Sequence, residues 1–393
     1  MTSWSWTRRI EGPRAQREAA AQLLTLCVGP AFDPATAGRL AAQTSADIVV
    51  ALADYHGVAG LAYEQLREVD AAAPFIADLH ARYTRAAQGH MRVIWELAHL
   101  QPVLDATGAA WAVIKGPVAA ELLYASPGQR SYQDLDLLIH PAAFRDVLAA
   151  LRDAGCELHD RNWKLLRRDL LGEVHLRLPG GTPLDLHWNL INMNRGRMWI
   201  DTPELLERST RADLGGVTVG TLDREDLVTH LAVHAALSGG DRLMWLKDIE
   251  RAIVVLDPDW DTVVERARRW GVAAGVGLIL ARTRDVVGAP IPPDVPDRLM
   301  SPRAAWIVKV AERASPWEQS VGRLTAASHV VSRAISHGPI GAARWLIGRA
   351  LRRFDPREPA ASSVFTPSGD ERDREAYLDA VVGSAGQGQP VGR

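Results

Sequence analysis

Three aspartates carried by two short apolar runs are the residues of this chain best placed to do chemistry. Asp134-Leu135-Asp136-Leu137-Leu138-Ile139 sets two carboxylates two residues apart, and Leu184-Asp185-Leu186-His187-Trp188 supplies a third further on. Side chains alternate along a strand, so Asp134 and Asp136 share one face while Leu135, Leu137 and Ile139 take the other. Acidic residues are depleted in strands, and an idle pair in such a run should cost stability. The competing reading of the pair alone is a sheet edge protected by inward charge. If the runs lie in one sheet, Asp185 completes a trio that repels itself at neutral pH unless a divalent cation sits among the carboxylates. Hard oxygen donors suit Mg²⁺ and phosphate chemistry.

Three further groups belong to this pattern. The apolar run Trp111-Ala112-Val113-Ile114 ends in Lys115-Gly116-Pro117, and proline suits the first position of a helix, so a strand turns into a helix there. At such a turn Gly116 lets a phosphate approach the backbone and Lys115 adds a positive charge, although a plain surface turn would read the same way. Arg130, just before the acidic run, offers a planar fork for two phosphate oxygens, with a solvated loop arginine as the alternative. His187 lies two residues from Asp185 on the same strand face, where it would orient a carboxylate, touch substrate or simply pack beside Trp188.

The elements that must position these groups follow from the periodicity. Residues 1–107 read as helices, the last running from Ala73 to about Thr107. Residues 108–200 change texture to short apolar runs alternating with helical stretches. Strands are expected at 111–115, 134–139, 156–160, 173–178 and 183–189, with helices from Pro117 to Tyr124 and from Pro141 to Ala154. Residues 201–353 return to a helical pattern, opened by Thr202-Pro203 and by Asp223 as an N-cap. Residues 354–393 turn to Pro, Ser, Gly and acidic types and are expected to be disordered. The fold class expected is α+β: a small mixed sheet flanked by helical regions on both sides.

In combination, Ile114-Lys115-Gly116, a helix, Gly128-Gln129-Arg130, Asp134-x-Asp136 in an apolar strand and Asp185-Leu186-His187-Trp188 resemble the uncharacterised bacterial nucleotidyltransferases of the polymerase-β superfamily. The resemblance spans roughly residues 45 to 260. It implies that Asp134 and Asp136 hold metal, two Mg²⁺ ions in all, and that Asp185 shares in the metal site and orients or deprotonates an acceptor hydroxyl. That hydroxyl would attack the α-phosphorus of a nucleoside triphosphate such as ATP, with pyrophosphate leaving. Many superfamily members carry Gly-Ser where this chain has Lys115-Gly116, so the phosphate grip differs. The resemblance also sets a histidine helix carrying His230 and His234, and the segment Trp245-Leu246-Lys247-Asp248, beside the core. Lys247 and Asp248 would then line the nucleotide or acceptor pocket, surface charge being the alternative.

Composition narrows the field further. The 393 residues carry a formal charge of -2, which gives no global pull toward nucleic acid or membrane. Cys27 and Cys156 are the only cysteines, without the close spacing of a zinc site or disulfide framework, and they fit a cytoplasmic setting. No signal peptide and no membrane span is expected. Six arginines and no acidic residue occur between Gln319 and Phe354, which suits an anionic partner such as RNA or a membrane surface, or a helix packed on the protein itself. Ala112-Val113-Ile114-Lys115 matches the lysine strand of protein kinases, but the other kinase motifs are missing. The rival to an enzyme is a silent nucleotide-binding or protein-interaction module, for example of toxin-antitoxin type. Retention of all three carboxylates favours the enzyme, and its acceptor, whether small molecule, peptide, protein or RNA, is not legible.

Overall fold

A computed structural model describes residues 10, 12–192, 198–302 and 363–385. The basic stretch 319–354 lies outside the described residues. In chain order the elements are α1 (Arg14–Val28), α2 (Pro34–Ala41), α3 (Ala46–His56), α4 (Ala59–Leu66) and α5 (Ala73–Ala106). The central unit follows as β1 (Trp111–Val113), α6 (Pro117–Leu123), β2 (Leu135–Ile139), α7 (Phe144–Asp153), β3 (Glu157–Leu158), α8 (Trp163–Asp169), β4 (Glu173–Arg177) and β5 (Pro183–His187). Then come α9 (Thr202–Glu207), β6 (Thr210–Leu214), β7 (Val217–Thr221), α10 (Arg224–Leu237), α11 (Leu243–Leu256), α12 (Trp260–Arg269), α13 (Ala273–Val287), α14 (Val295–Leu299) and α15 (Glu371–Ser384). The class is α+β, as expected.

The five-stranded sheet runs β1-β2-β5-β4-β3, with β2 and β5 parallel and the other pairs antiparallel. The period-2 pattern of the acidic run explains its placement. Leu135, Leu137 and Ile139 are buried in the hydrophobic core on one face, which obliges Asp136 to point to the other. The register of the parallel pair then sets Asp136 opposite Asp185, and the antiparallel pair sets His175 opposite Asp185. A row of three ionisable side chains thus crosses three strands.

Two elements depart from the sequence expectation. Within the stretch expected to be helical, β6 and β7 form a hairpin around Gly215 and Gly216, whose φ angles of 60° and 91° suit the tight two-residue turn that glycines favour. The hairpin packs against β1, where Thr221 Oγ1 donates to the Val113 carbonyl at 2.8 Å. The stretch expected to be disordered contains α15, opened by a capping box at Asp370 and Asp373. Its composition is polar, but Tyr377, Leu378 and Val381 fall on one side and are buried, so three apolar anchors suffice where the core already offers a groove. Tyr377 Oη donates to the Leu171 carbonyl at 2.8 Å and accepts from Trp188 Nε1 at 3.1 Å, which ties α15 to the residue after His187. Replacing Tyr377 by Ala is expected to cost about 3 kcal/mol, the scale of emptying a buried aromatic position. Urea unfolding of the full chain checks this, and a cost below about 1 kcal/mol would show that α15 is not part of the cooperative fold.

Candidate active site

The site starts from the end of β1. Ile114 N donates to the Asp136 carbonyl at 3.2 Å, continuing the ladder past the strand and bringing Lys115 beside Asp136. Lys115 Nζ lies 2.8 Å from Asp136 Oδ1, and His187 Nε2 approaches the same oxygen at 3.1 Å. The other ring nitrogen of His187 faces Glu173 Oε2 at 3.1 Å, an ion-pair contact, and Glu173 Oε1 accepts from Asn192 Nδ2 at 2.9 Å. His175 Nδ1 reaches Asp160 Oδ1 at 3.1 Å, while its Nε2 stands 3.5 Å from Glu173 Oε1. Gly116 has φ 53°, and a Cβ there would meet the Asp134 carbonyl at 3.1 Å, so the glycine is needed for the turn to close on the acidic strand.

The electrostatics sort the carboxylates into two kinds. Burial opposes a charge on Asp136, but Lys115 and His187 outweigh it and hold the carboxyl well below the ordinary range. Burial likewise opposes Glu173, which His187 and His175 pull down to about 2. Asp185 behaves in the opposite way: burial, then the charges of Asp136 and Glu173, push it up to about 7. Asp134 is also raised, by burial and by Asp136. Lys115 and His187 stay charged because neighbouring carboxylates overcome their burial, and His175 is raised to about 11. The polar face therefore holds two carboxylates, Asp134 and Asp185, whose charge the protein leaves poorly compensated.

One ligand atom each from Asp136, Asp185 and His187 falls within 4.8 Å of the others, a spacing a metal ion can bridge. Asp136 Oδ2 is buried without a hydrogen-bond partner, an orphaned acceptor of the kind that calls for an ion. With carboxylates facing both of its nitrogens, His187 acts as a donor, which leaves oxygen ligands for the ion. Asp134 lies outside this trio and instead lines a cavity of about 290 Å³ together with Asp136, Lys115, Gly116, Arg130 and Asp248.

Of the site residues read from the sequence, Asp136, Asp185 and His187 come together, while Lys115, Gly116, Arg130, Asp134 and Asp248 line the cavity with Asp136. The model of a family described as uncharacterised nucleotidyltransferases matches residues 43–288. The chain belongs to this family. Neither a curated protein nor a solved structure matches it. The matched region includes the whole five-stranded sheet and runs through α13, while α15 lies beyond it. No helix among the described residues is long and apolar enough to cross a membrane.

Two cations read as site residues have partners that the sequence did not reveal. Arg130, read as a phosphate clamp, is buried and donates through Nε and Nη2 to Asp248, the Nη2 bond being 2.9 Å, and through Nη1 to the Gly116 carbonyl at 3.0 Å. Asp248 accepts from Tyr124 Oη at 2.8 Å as well. Both line the cavity but act as a buttress for the Lys115–Gly116 turn. Lys247 pairs with Glu250 at 2.7 Å and is not among the cavity residues. Residues that sequence reading passed over include Glu173 and His175, although Glu173-Val174-His175 alternates just as Asp134-Leu135-Asp136 does. Arg242, just before α11, was passed over as well, while His234 and Trp245, which the resemblance set beside the core, both line the cavity.

Burial keeps three histidines near the cavity neutral. His56 and His234 are lowered to about 3 and His230 falls well below its usual value. A depressed histidine contributes stability that is complete above its unfolded value near 6.5 and is lost as pH falls toward the folded value. Between pH 6 and 4, the stability of wild type should therefore fall more steeply than that of His234→Gln, by up to about 1.4 kcal/mol per pH unit. Parallel slopes in urea titrations of the two proteins would show that His234 is not buried as a neutral ring.

Proposed function

We propose that the protein is a Mg²⁺-dependent nucleotidyltransferase that moves a nucleoside monophosphate from a nucleoside triphosphate to an acceptor hydroxyl, releasing pyrophosphate. The observation that carries this reading is the pairing of Asp136 with Asp185 across parallel strands, next to a cavity lined by Lys115, Gly116 and Asp134, with Asp136 Oδ2 left unpartnered. Asp136, Asp185 and Asp134 are the residues that would hold divalent cations, and the bound ions would stabilise the attacking and leaving oxygens of an in-line displacement. Lys115 contributes positive charge to the polyphosphate end of the cavity. His187 holds Asp136 in place, with Glu173 behind it fixing the ring. Asp185, raised to about 7, is suited to accept the acceptor's proton near neutral pH.

Labelled nucleotides test this. Label in the α-phosphate should appear on an acceptor from a cell extract, while label in the γ-phosphate should leave as pyrophosphate, and a chelator should stop both. Transfer of the γ-label to the acceptor would instead show phosphoryl transfer and reject the reading. A second reading, nucleotide binding without turnover, is favoured by the ion pair between Lys115 and Asp136, which already satisfies one oxygen of that carboxylate. It predicts that nucleotide binds and neither label moves.

A further inference from the structure

Among the residues that line the cavity beside the acidic strand, two contributions differ in character. One is polar and comes from the sheet: Lys115, Gly116, Asp134 and Asp136. The other comes from the C-terminal helices and carries Leu231 and His234 of α10 with Met244 and Trp245 of α11. Asp185, the carboxylate suited to face an acceptor, does not line this cavity. On the nucleotidyl-transfer reading this assigns the cavity to the nucleotide and the side of β5 and β4 to the acceptor. With the phosphates drawn to the polar groups of the sheet, the apolar and aromatic lining from α10 and α11 is available to the rest of the nucleotide.

We infer that Trp245, with Met244, Leu231 and His234 around it, is the nucleobase subsite, an inference that rests on the nucleotidyl-transfer reading of the same cavity. The indole is set in place before any ligand arrives. The Arg242 guanidinium lies 5.2 Å from the Trp245 ring and 5.5 Å from the Tyr55 ring, and Tyr55 is fixed by donating to Asp241 at 2.5 Å. His234 stands edge-on to the indole, 5.7 Å between centroids at 89°. Trp245 is half-buried between fully buried neighbours, Met244 and Leu246, so an aromatic surface is presented at the cavity where the helix otherwise faces the core. Stacking on an aromatic side chain suits every nucleobase, because each has a π-face. His234, kept neutral by burial, adds one donor and one acceptor without adding charge that would compete for the phosphates.

Calorimetry with the full chain, Mg²⁺, the non-hydrolysable α,β-methylene analogue of ATP and inorganic tripolyphosphate tests the subsite. Wild type should bind the nucleotide roughly tenfold or more tightly than tripolyphosphate, the scale expected of one stacked base. Trp245→Ala should remove that advantage and leave the tripolyphosphate affinity unchanged, and Trp245→Phe should restore most of it. Trp245→Leu, which fills the space without an aromatic face, gives the same reading should the alanine variant be unfolded. An advantage that survives in folded Trp245→Ala or Trp245→Leu overturns the subsite while leaving the transferase reading in place. Wild type that binds nucleotide and tripolyphosphate equally overturns the subsite alone. Wild type that binds neither overturns both.

Discussion

Asp185→Asn is expected to reduce nucleotidyl transfer by about 10³-fold or more while leaving the protein as stable as wild type or more stable by about 1 kcal/mol. The sign of the stability change follows from the surroundings of the residue. Burial, Asp136 and Glu173 all oppose its charge, so an uncharged amide of the same shape relieves repulsion that the carboxylate suffers. Asp134→Asn should behave alike, because burial and Asp136 raise that carboxyl too. Asp136 is different. It is fully buried between Lys115 and His187, and Asp136→Asn leaves two cations facing an amide. Removing one member of a buried ion pair costs about 3–5 kcal/mol, so loss of activity in that variant is not diagnostic by itself. Parallel measurement of turnover and urea unfolding across the three variants separates chemistry from folding. Loss of stability in Asp185→Asn comparable to that in Asp136→Asn would show that Asp185 is structural.

The second large effect concerns Arg130 and Asp248, and it is a folding effect. Asp248→Ala should cost about 3–5 kcal/mol, because it leaves the Arg130 guanidinium buried opposite no anion and the Tyr124 hydroxyl without its acceptor. The double variant Arg130→Met with Asp248→Leu should recover a large part of that loss, since a buried pair exchanged for apolar side chains of similar size is often tolerated. A double-mutant cycle by chemical denaturation measures the coupling. Independent, additive costs would show that the two side chains do not support each other. In activity, Arg130→Lys should impair turnover through the Gly116 turn, because an ammonium cannot bond Asp248 bidentately and also reach the Gly116 carbonyl.

Much of this arrangement is legible in the amino-acid sequence. Alternation of charge and leucine in 134–139 put Asp136 on the polar face, and the same alternation in 184–188 put Asp185 and His187 there. The register that aligns them is a property of the sheet, but any register that buries Leu184 and Leu186 with Leu135 and Leu137 sets the aspartates on one face. What local pattern did not convey was partner choice. Arg130 looked like a phosphate ligand because the carboxylate that neutralises it lies on α11, more than a hundred residues later in the sequence. The docking of α15 was hidden for a related reason: its average composition is polar, and its three apolar anchors matter only against a groove made by α8 and Trp188. The β6–β7 hairpin was readable. Ala212, Leu214, Val217 and Val219 alternate around Gly215-Gly216, and a helical period imposed on that stretch obscured it.

Divalent-cation-dependent pyrophosphate release from a nucleoside triphosphate, measured side by side for wild type and for Asp185→Asn in the presence of the same acceptor extract, tests the central claim most directly. Release by wild type that stops on chelation and is absent from the folded variant is the predicted result. Equal release by the two proteins would place the chemistry somewhere other than the polar face of this sheet.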